Sequence, residues 1–381
     1  MSGLNGVDSP AGLGRVGSID ILPARLAIAA APGLWEGFTM LTRRNFVAAA
    51  TAAPTMFNII GPAAAAANLK ISHQFPGGSG EEGDFRDRMC RRFAAEIAKR
   101  TNGEVTGTVY PDSSLMKTTA QFSSLRKGAL DLSLYPLAYA GGEVQELNIT
   151  LMPCLVSSYT QGQAWKTAPV GRELNRICEE KGVVIVSWVW QAGGCASRSA
   201  QMLGPEDAKG KKVRGGSREV DLMFKEAGAA VVSMPSNELY AAMQTGAVDA
   251  VVTSSTSLIS FRMEELAKHL AGGGGKSYWF MFEPLIMSKA IFAALPKPQQ
   301  DAIMAVGADL EAYGYAAAQQ DDKSVVEVYS KKGVKVQEMD DASLARWKEL
   351  ARRSAWKDYS DKSESSGKLM KLAIDLAEKT A

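Results

Sequence analysis

The chain has 381 residues, 46% of them hydrophobic and 22% charged, with 43 Lys+Arg against 41 Asp+Glu for a formal net charge of +2. This composition excludes a disordered, collagen-like or membrane-bundle protein, and no basic run supplies the electrostatic footprint of a nucleic-acid binder. The length exceeds the roughly 250–300 residues at which a single core stops growing, so two domains are expected.

The first elements read as an address. Leu41-Thr42-Arg43-Arg44-Asn45-Phe46-Val47 leads into an Ala-rich apolar run that reaches Ala67 and is broken by Pro54, Gly61 and Pro62. A positive start, a mildly apolar middle and a small-residue end form the three-part layout of a cleavable signal, too broken for a spanning helix. The Arg43-Arg44 pair resembles the twin-arginine export signal, with Val47 where that signal prefers Leu. Met40 stands where such signals begin, so residues 1–39 read either as an over-extended gene start or as a poorly ordered tail.

Downstream, strand and helix patterns alternate. Leu69 to Phe75 predicts a strand that ends in the glycine-rich loop Pro76 to Gly83. Phe85, Met89, Phe93 and Ile97 recur every four residues and predict a helix, stopped at Gly103. Val105 to Tyr110 predicts a strand, Lys117 to Lys127 a helix and Leu130 to Leu134 a third strand. After a helical stretch around Gly162 to Glu180, the apolar run Val183 to Trp190 predicts one strand buried on both faces. A second series follows: a strand from Lys212 to Arg214, a helix through Val220 and Phe224, a strand from Ala229 to Val232, a helix capped by Ser236 or Asn237, and a strand from Val248 to Thr253. The alternation predicts mostly parallel sheets in two α/β halves, joined near Gly193-Gly194. His269 reads as the end of an amphipathic helix. From Gln299 to about Lys332 few breakers occur, which predicts one helix long enough to lie across both halves, with further helices at Leu344 to Tyr359 and Gly367 to Lys379.

Catalytic motifs do not assemble. Cys90, Cys154, Cys178 and Cys195 form no C-x-x-C pair and read as free, buried thiols, although an oxidising compartment leaves disulfides open. Two histidines, His73 and His269, argue against a His-rich metal site. The Gly272 to Ser277 run lacks the first glycine of a phosphate-binding loop, where Leu270 stands, and it follows a predicted helix. The two S-x-x-K matches, at Ser114 and Ser124, lack their companion motifs. No enzyme and no cofactor are expected, and the sequence leaves open whether a metal ion helps to hold a ligand.

Gly210-Lys211-Lys212-Val213-Arg214, followed by Pro235-Ser236-Asn237-Glu238-Leu239-Tyr240 and Gln244-Thr245-Gly246-Ala247-Val248-Asp249, resembles the substrate-binding subunits of tripartite ATP-independent periplasmic (TRAP) transporters, the DctP family. His73-Gln74-Phe75-Pro76, Thr101-Asn102-Gly103, Lys127-Gly128-Ala129-Leu130-Asp131 and Leu295-Pro296-Lys297-Pro298 match in the same order. The resemblance implies a periplasmic-binding-protein-like (Venus-flytrap) α/β fold. Its first domain is expected over residues 68–194 and 279–320, and its second over 195–278 and 321–381, with the spanning helix at about 299–332. It also implies capture of a small organic acid in the periplasm and delivery to a TRAP membrane permease, by a monomer or a dimer.

The resemblance places a ligand-carboxylate grip at Arg214. A guanidinium is planar and permanently charged, and it can hold a carboxylate through two parallel hydrogen bonds. Arg198 stands where many members carry a second arginine, with hinge packing or a salt bridge as its other reading. His73, Gln74, Phe75 and Tyr135 hold positions that face ligand, and core packing explains them equally well. Ser236 and Asn237 belong to the matched segment. Thr253 departs from the family by offering a hydroxyl where an amide is usual. Trp279 and Phe282, in an unusually aromatic stretch, line the pocket or pack the sheet. Two rival readings are an exported enzyme and a sensory subunit that uses the same pocket.

Overall fold

A computed structural model describes residues 67–380, which belong to one compact unit. The arginine pair, Met40 and the Ala-rich run up to residue 66 lie outside the described residues. Among these residues no helix is long and apolar enough to cross a membrane.

The strands, in chain order, are β1 (Ala67–Ser72), β2 (Val105–Tyr110), β3 (Leu132–Leu134), β4 (Val183–Ile185), β5 (Trp190–Ser197), β6 (Lys212–Arg214), β7 (Ala230–Val231), β8 (Ala250–Ser254), β9 (His269–Ala271), β10 (Phe280–Phe282), β11 (Leu285–Ser288) and β12 (Lys335–Gln337). They form two sheets. The first, of order β2-β1-β3-β11-β4, supports one lobe. The second, of order β12-β9-β5-β8-β6-β7 with β10 on β5, supports the other.

Parallel pairing is less general than the sequence pattern predicts. β1 pairs in parallel with β2 and β3, and β6 with β7 and β8. β5 runs antiparallel to β8, β9 and β10, and β11 runs antiparallel to β3 and β4. The physical reason is the route: β5 and β11 each enter a sheet directly from the other lobe, without the crossover helix that makes a neighbour parallel.

The apolar run from Val183 is likewise two elements. The chain leaves the first sheet after Ile185 and enters the second at Trp190, and the amides of Val186 and Ser187 both donate to the Leu285 carbonyl on the returning strand. An aromatic stack fills this crossing, with Phe282 centred 4.6 Å from Trp188 and 5.2 Å from Trp190. Burial of each such ring contributes about 1.5–3 kcal/mol, so the crossing is a packed hinge.

The helix Lys297–Lys331 runs 35 residues, about 50 Å, and ties both lobes together. Gly307 meets the first lobe so closely that a Cβ there would lie 2.1 Å from the Val186 carbonyl oxygen. Further along, Asp322 accepts from the Ser255 hydroxyl at 2.6 Å, and the Tyr329 hydroxyl donates to the Leu258 carbonyl at 3.1 Å, both in the second lobe. The C-terminal helix Glu364–Lys379 buries Leu369, Met370 and Ala373 and packs on the helix Pro169–Glu180 of the first lobe.

Two local expectations are corrected. His269 opens β9 and pairs with Lys335 on β12 and Ser197 on β5, so it belongs to a strand. Ser236 and Asn237 form a single 3-10 turn before the helix Leu239–Thr245, and neither side chain caps that helix. All four cysteines are buried and unpaired, and burial pushes the thiols of Cys154 and Cys195 up to about 12.

Candidate functional site

Arg214 ends β6, where the strand gives way to the turn Gly215-Gly216. Its side chain is fully buried, yet each nitrogen is engaged. Nε donates to the Met234 carbonyl at 3.0 Å and Nη1 to the Val252 carbonyl at 2.9 Å. Nη2 donates to the Tyr139 hydroxyl at 2.7 Å. Three of five N–H groups are thereby used, which leaves one on each terminal nitrogen without a partner among the described residues. Two N–H groups on the neighbouring terminal nitrogens of a guanidinium can serve one carboxylate.

Tyr139 belongs to the first lobe, so its bond to Arg214 crosses the interlobe seam. The same hydroxyl accepts from the Ser236 amide at 3.2 Å. Gly216, at φ +98°, keeps room for the guanidinium: a Cβ there would lie 2.8 Å from Nη1. Trp279 braces the turn from beneath, its indole N–H donating to the Gly215 carbonyl at 3.0 Å. Asp221 accepts from the Gly215 amide at 3.1 Å, and burial pushes its carboxyl up to about 6 against the pull of the Arg214 charge.

A cavity of about 320 Å³ adjoins this group. Thr119, Tyr139 and Asn148 line it from the first lobe, and Gly216, Arg218 and Met234 from the second. A volume of this order holds a small organic molecule. Ser217 closes its edge by accepting from the Val220 amide as a helix cap while donating to the Leu151 carbonyl across the seam at 3.1 Å.

A second polar cluster bridges the lobes around Arg86, which is fully buried. Asp84 caps the helix Phe85–Arg100 and accepts from the Arg86 side chain at 2.9 and 2.7 Å. Nη1 reaches Glu283 at 3.0 Å and Ser254 at 3.3 Å, and Nη2 reaches Ser257 at 3.0 Å. The Phe75 ring lies under the guanidinium, 3.5 Å from its carbon. Burial raises the Glu283 carboxyl above its usual range, opposed by the Arg86 charge. Burial would raise Asp84 too, but the Arg86 charge and hydrogen bonds hold it below. All five donors of Arg86 are taken by protein, so this arginine latches the lobes and has no fork left for a ligand.

The remaining predicted residues divide by position. Thr253 is buried on β8, between Val252, which holds Arg214, and Ser254, which holds Arg86. Tyr135 is buried, with ring centres 6.1 Å from both Phe122 and Tyr139. His73 is occupied by its own lobe: Nδ1 accepts from the Phe75 amide at 3.3 Å, and Nε2 bonds Asp87 at 3.1 Å. Gln74 accepts from the Thr118 hydroxyl at 3.3 Å, and its buried Nε2 has no partner among the described residues. Phe282 lies in the hinge stack and Asn237 is exposed. Arg198 lines a different cavity, within the second lobe, together with Asp249, Glu265 and Lys268. Tyr139 and Arg86 both bond across the seam, and no sequence motif singled them out.

Two lobes, crossed by a hinge and a long helix, with a buried arginine beside the cavity between them, define a solute receptor of the two-domain type. The chain belongs to the bacterial extracellular solute-binding protein family 7, the DctP family, whose model matches residues 81–362. It is accordingly a solute-binding protein of the TRAP class. A solute-binding protein of Albidiferax ferrireducens is 62% identical over 305 residues, covering 80% of this chain and 90% of the relative. A crystal structure of a TRAP periplasmic solute-binding protein from Rhodoferax ferrireducens with bound malonate is 60% identical, with a TM-score of 0.81, and covers 82% of this chain and 99% of that one. The C4-dicarboxylate-binding periplasmic protein of Rhodobacter capsulatus is 26% identical over 284 residues, 72% of this chain and 79% of the relative.

Proposed function

We propose that this protein captures a small organic acid between its lobes, anchors one carboxylate on Arg214 and hands the ligand to a TRAP membrane permease. The observation that carries the anchor is the buried guanidinium with one N–H left on each terminal nitrogen, beside a cavity with walls from both lobes. In such a site screening by water falls, and a bidentate ion pair is stronger than at a surface. The malonate bound by the 60% identical structure supports a small carboxylate as the ligand. Closure follows from the same geometry. Tyr139, Ser217 and Arg86 supply bonds that exist only when the lobes meet, and a ligand that touches both walls adds to them.

The reading includes no chemical step, in keeping with the receptor relatives. It also includes export to the periplasm by the Arg43-Arg44 signal. Thermal unfolding against a panel of small carboxylic acids tests the ligand class. A true ligand at about 1,000 times its dissociation constant stabilises by roughly 4 kcal/mol. A coherent group of hits supports the reading. A flat panel, repeated after unfolding and refolding to release any retained ligand, contradicts it.

A further inference from the structure

The turn after Arg214 brings a second guanidinium to the same cavity. Ser217 caps the helix Arg218–Glu226, so Arg218 occupies its first position and lines the cavity beside Gly216, which itself abuts Arg214 Nη1. Arg218 is exposed at the cavity mouth. Only one of its nitrogens is engaged: Nη1 donates to Asp358 Oδ2 at 2.7 Å and to Glu219 Oε1 at 3.1 Å. No described residue takes Nε or Nη2. The two acids therefore hold the side chain by one corner and leave the Nε–Nη2 edge available, an edge that accepts a carboxylate through two parallel bonds.

We propose that Arg218 is a specificity-determining residue, which receives the distal carboxylate of a short diacid whose first carboxylate sits on Arg214. This rests on the Arg214 anchor reading and extends it to a substrate class. The free pair of N–H groups on Arg214 is satisfied by one carboxylate. A second carboxylate has no other cation among the cavity-lining residues, since Thr119, Tyr139, Asn148, Ser233 and Met234 are all uncharged. An anion left there without a countercharge is unfavourable, and Arg218 removes that cost. The contribution is moderate because the residue lies at the rim and Asp358 offsets part of its field.

The test is calorimetric titration of the purified protein with malonate, succinate and glutarate, and with acetate, propanoate and butanoate, which lack the second carboxylate. Arg218→Gln is expected to weaken diacid binding about three- to five-fold, as for loss of a rim ion pair, and to leave monoacid binding within about 1.5-fold. Arg218→Lys keeps the charge without the planar edge and should fall between. The diacid preference should shrink as salt is raised. Arg214→Ala should abolish both classes. Equal weakening of monoacids and diacids by Arg218→Gln overturns the inference, as does unchanged diacid affinity while Arg214→Ala abolishes binding. Unchanged affinity of both classes in Arg214→Ala removes the anchor itself, and the two failures are thus distinguishable.

Discussion

Glu219 gives the sharpest quantitative expectation for the cleft wall. It follows Arg218, is fully buried, and has one carboxylate oxygen without a hydrogen-bond partner. Burial pushes its carboxyl up to about 7 from an ordinary value near 4.5, while the Arg218 hydrogen bond and charge pull the other way. A folded-state pKa above the unfolded one means that the folded protein prefers the protonated form. The associated stability is fully present below about pH 4.5 and is lost as pH rises toward 7. A shift from 4.5 to about 7 corresponds to roughly 3 kcal/mol. Glu219→Gln removes the ionisation and keeps an acceptor for Arg218. The variant should match the wild type near pH 4 and unfold roughly 4–6 °C higher at pH 8, read by calorimetry in a pH series. Asp221, pushed up to about 6 by burial, adds a similar slope at lower pH that Asp221→Asn removes separately. Parallel wild-type and Glu219→Gln curves from pH 4 to 8 would refute the reasoning.

Two further expectations concern the seam. Arg86→Met leaves Asp84 and Glu283 buried without their cation, so urea denaturation should show a loss of about 3–5 kcal/mol; a loss under 1 kcal/mol would mean that the cluster is not a latch. Tyr139→Phe deletes the hydroxyl shared by Arg214 and the Ser236 amide and keeps the ring, so the fold should survive while ligand affinity falls by about five- to ten-fold in calorimetry.

Much of the fold was legible because periodicity reports burial. The four-residue repeat from Phe85 to Ile97 and the unbroken stretch after Gln299 correspond to the helices Phe85–Arg100 and Lys297–Lys331. The run from Val183 to Trp190 was not legible as two strands, since an apolar run records that both faces are covered and not which sheet covers them. His269 misled for a related reason: three residues of strand are too short to display a period. At the site, Arg214 stood out through its sequence surroundings. Arg86 did not, because its partners Ser254 and Glu283 lie 168 and 197 residues away and meet it only after folding. Tyr139 is equally silent, one tyrosine in a short apolar turn until Arg214 arrives opposite it.

The central claim is that Arg214 anchors the ligand, and calorimetric titration of Arg214→Ala and Arg214→Lys with the best acid from the panel tests it most directly. The account predicts that the alanine variant stays folded and loses nearly all affinity, and that lysine restores only part of it because the two-pronged geometry is gone. Wild-type affinity in a folded Arg214→Ala variant would contradict the account.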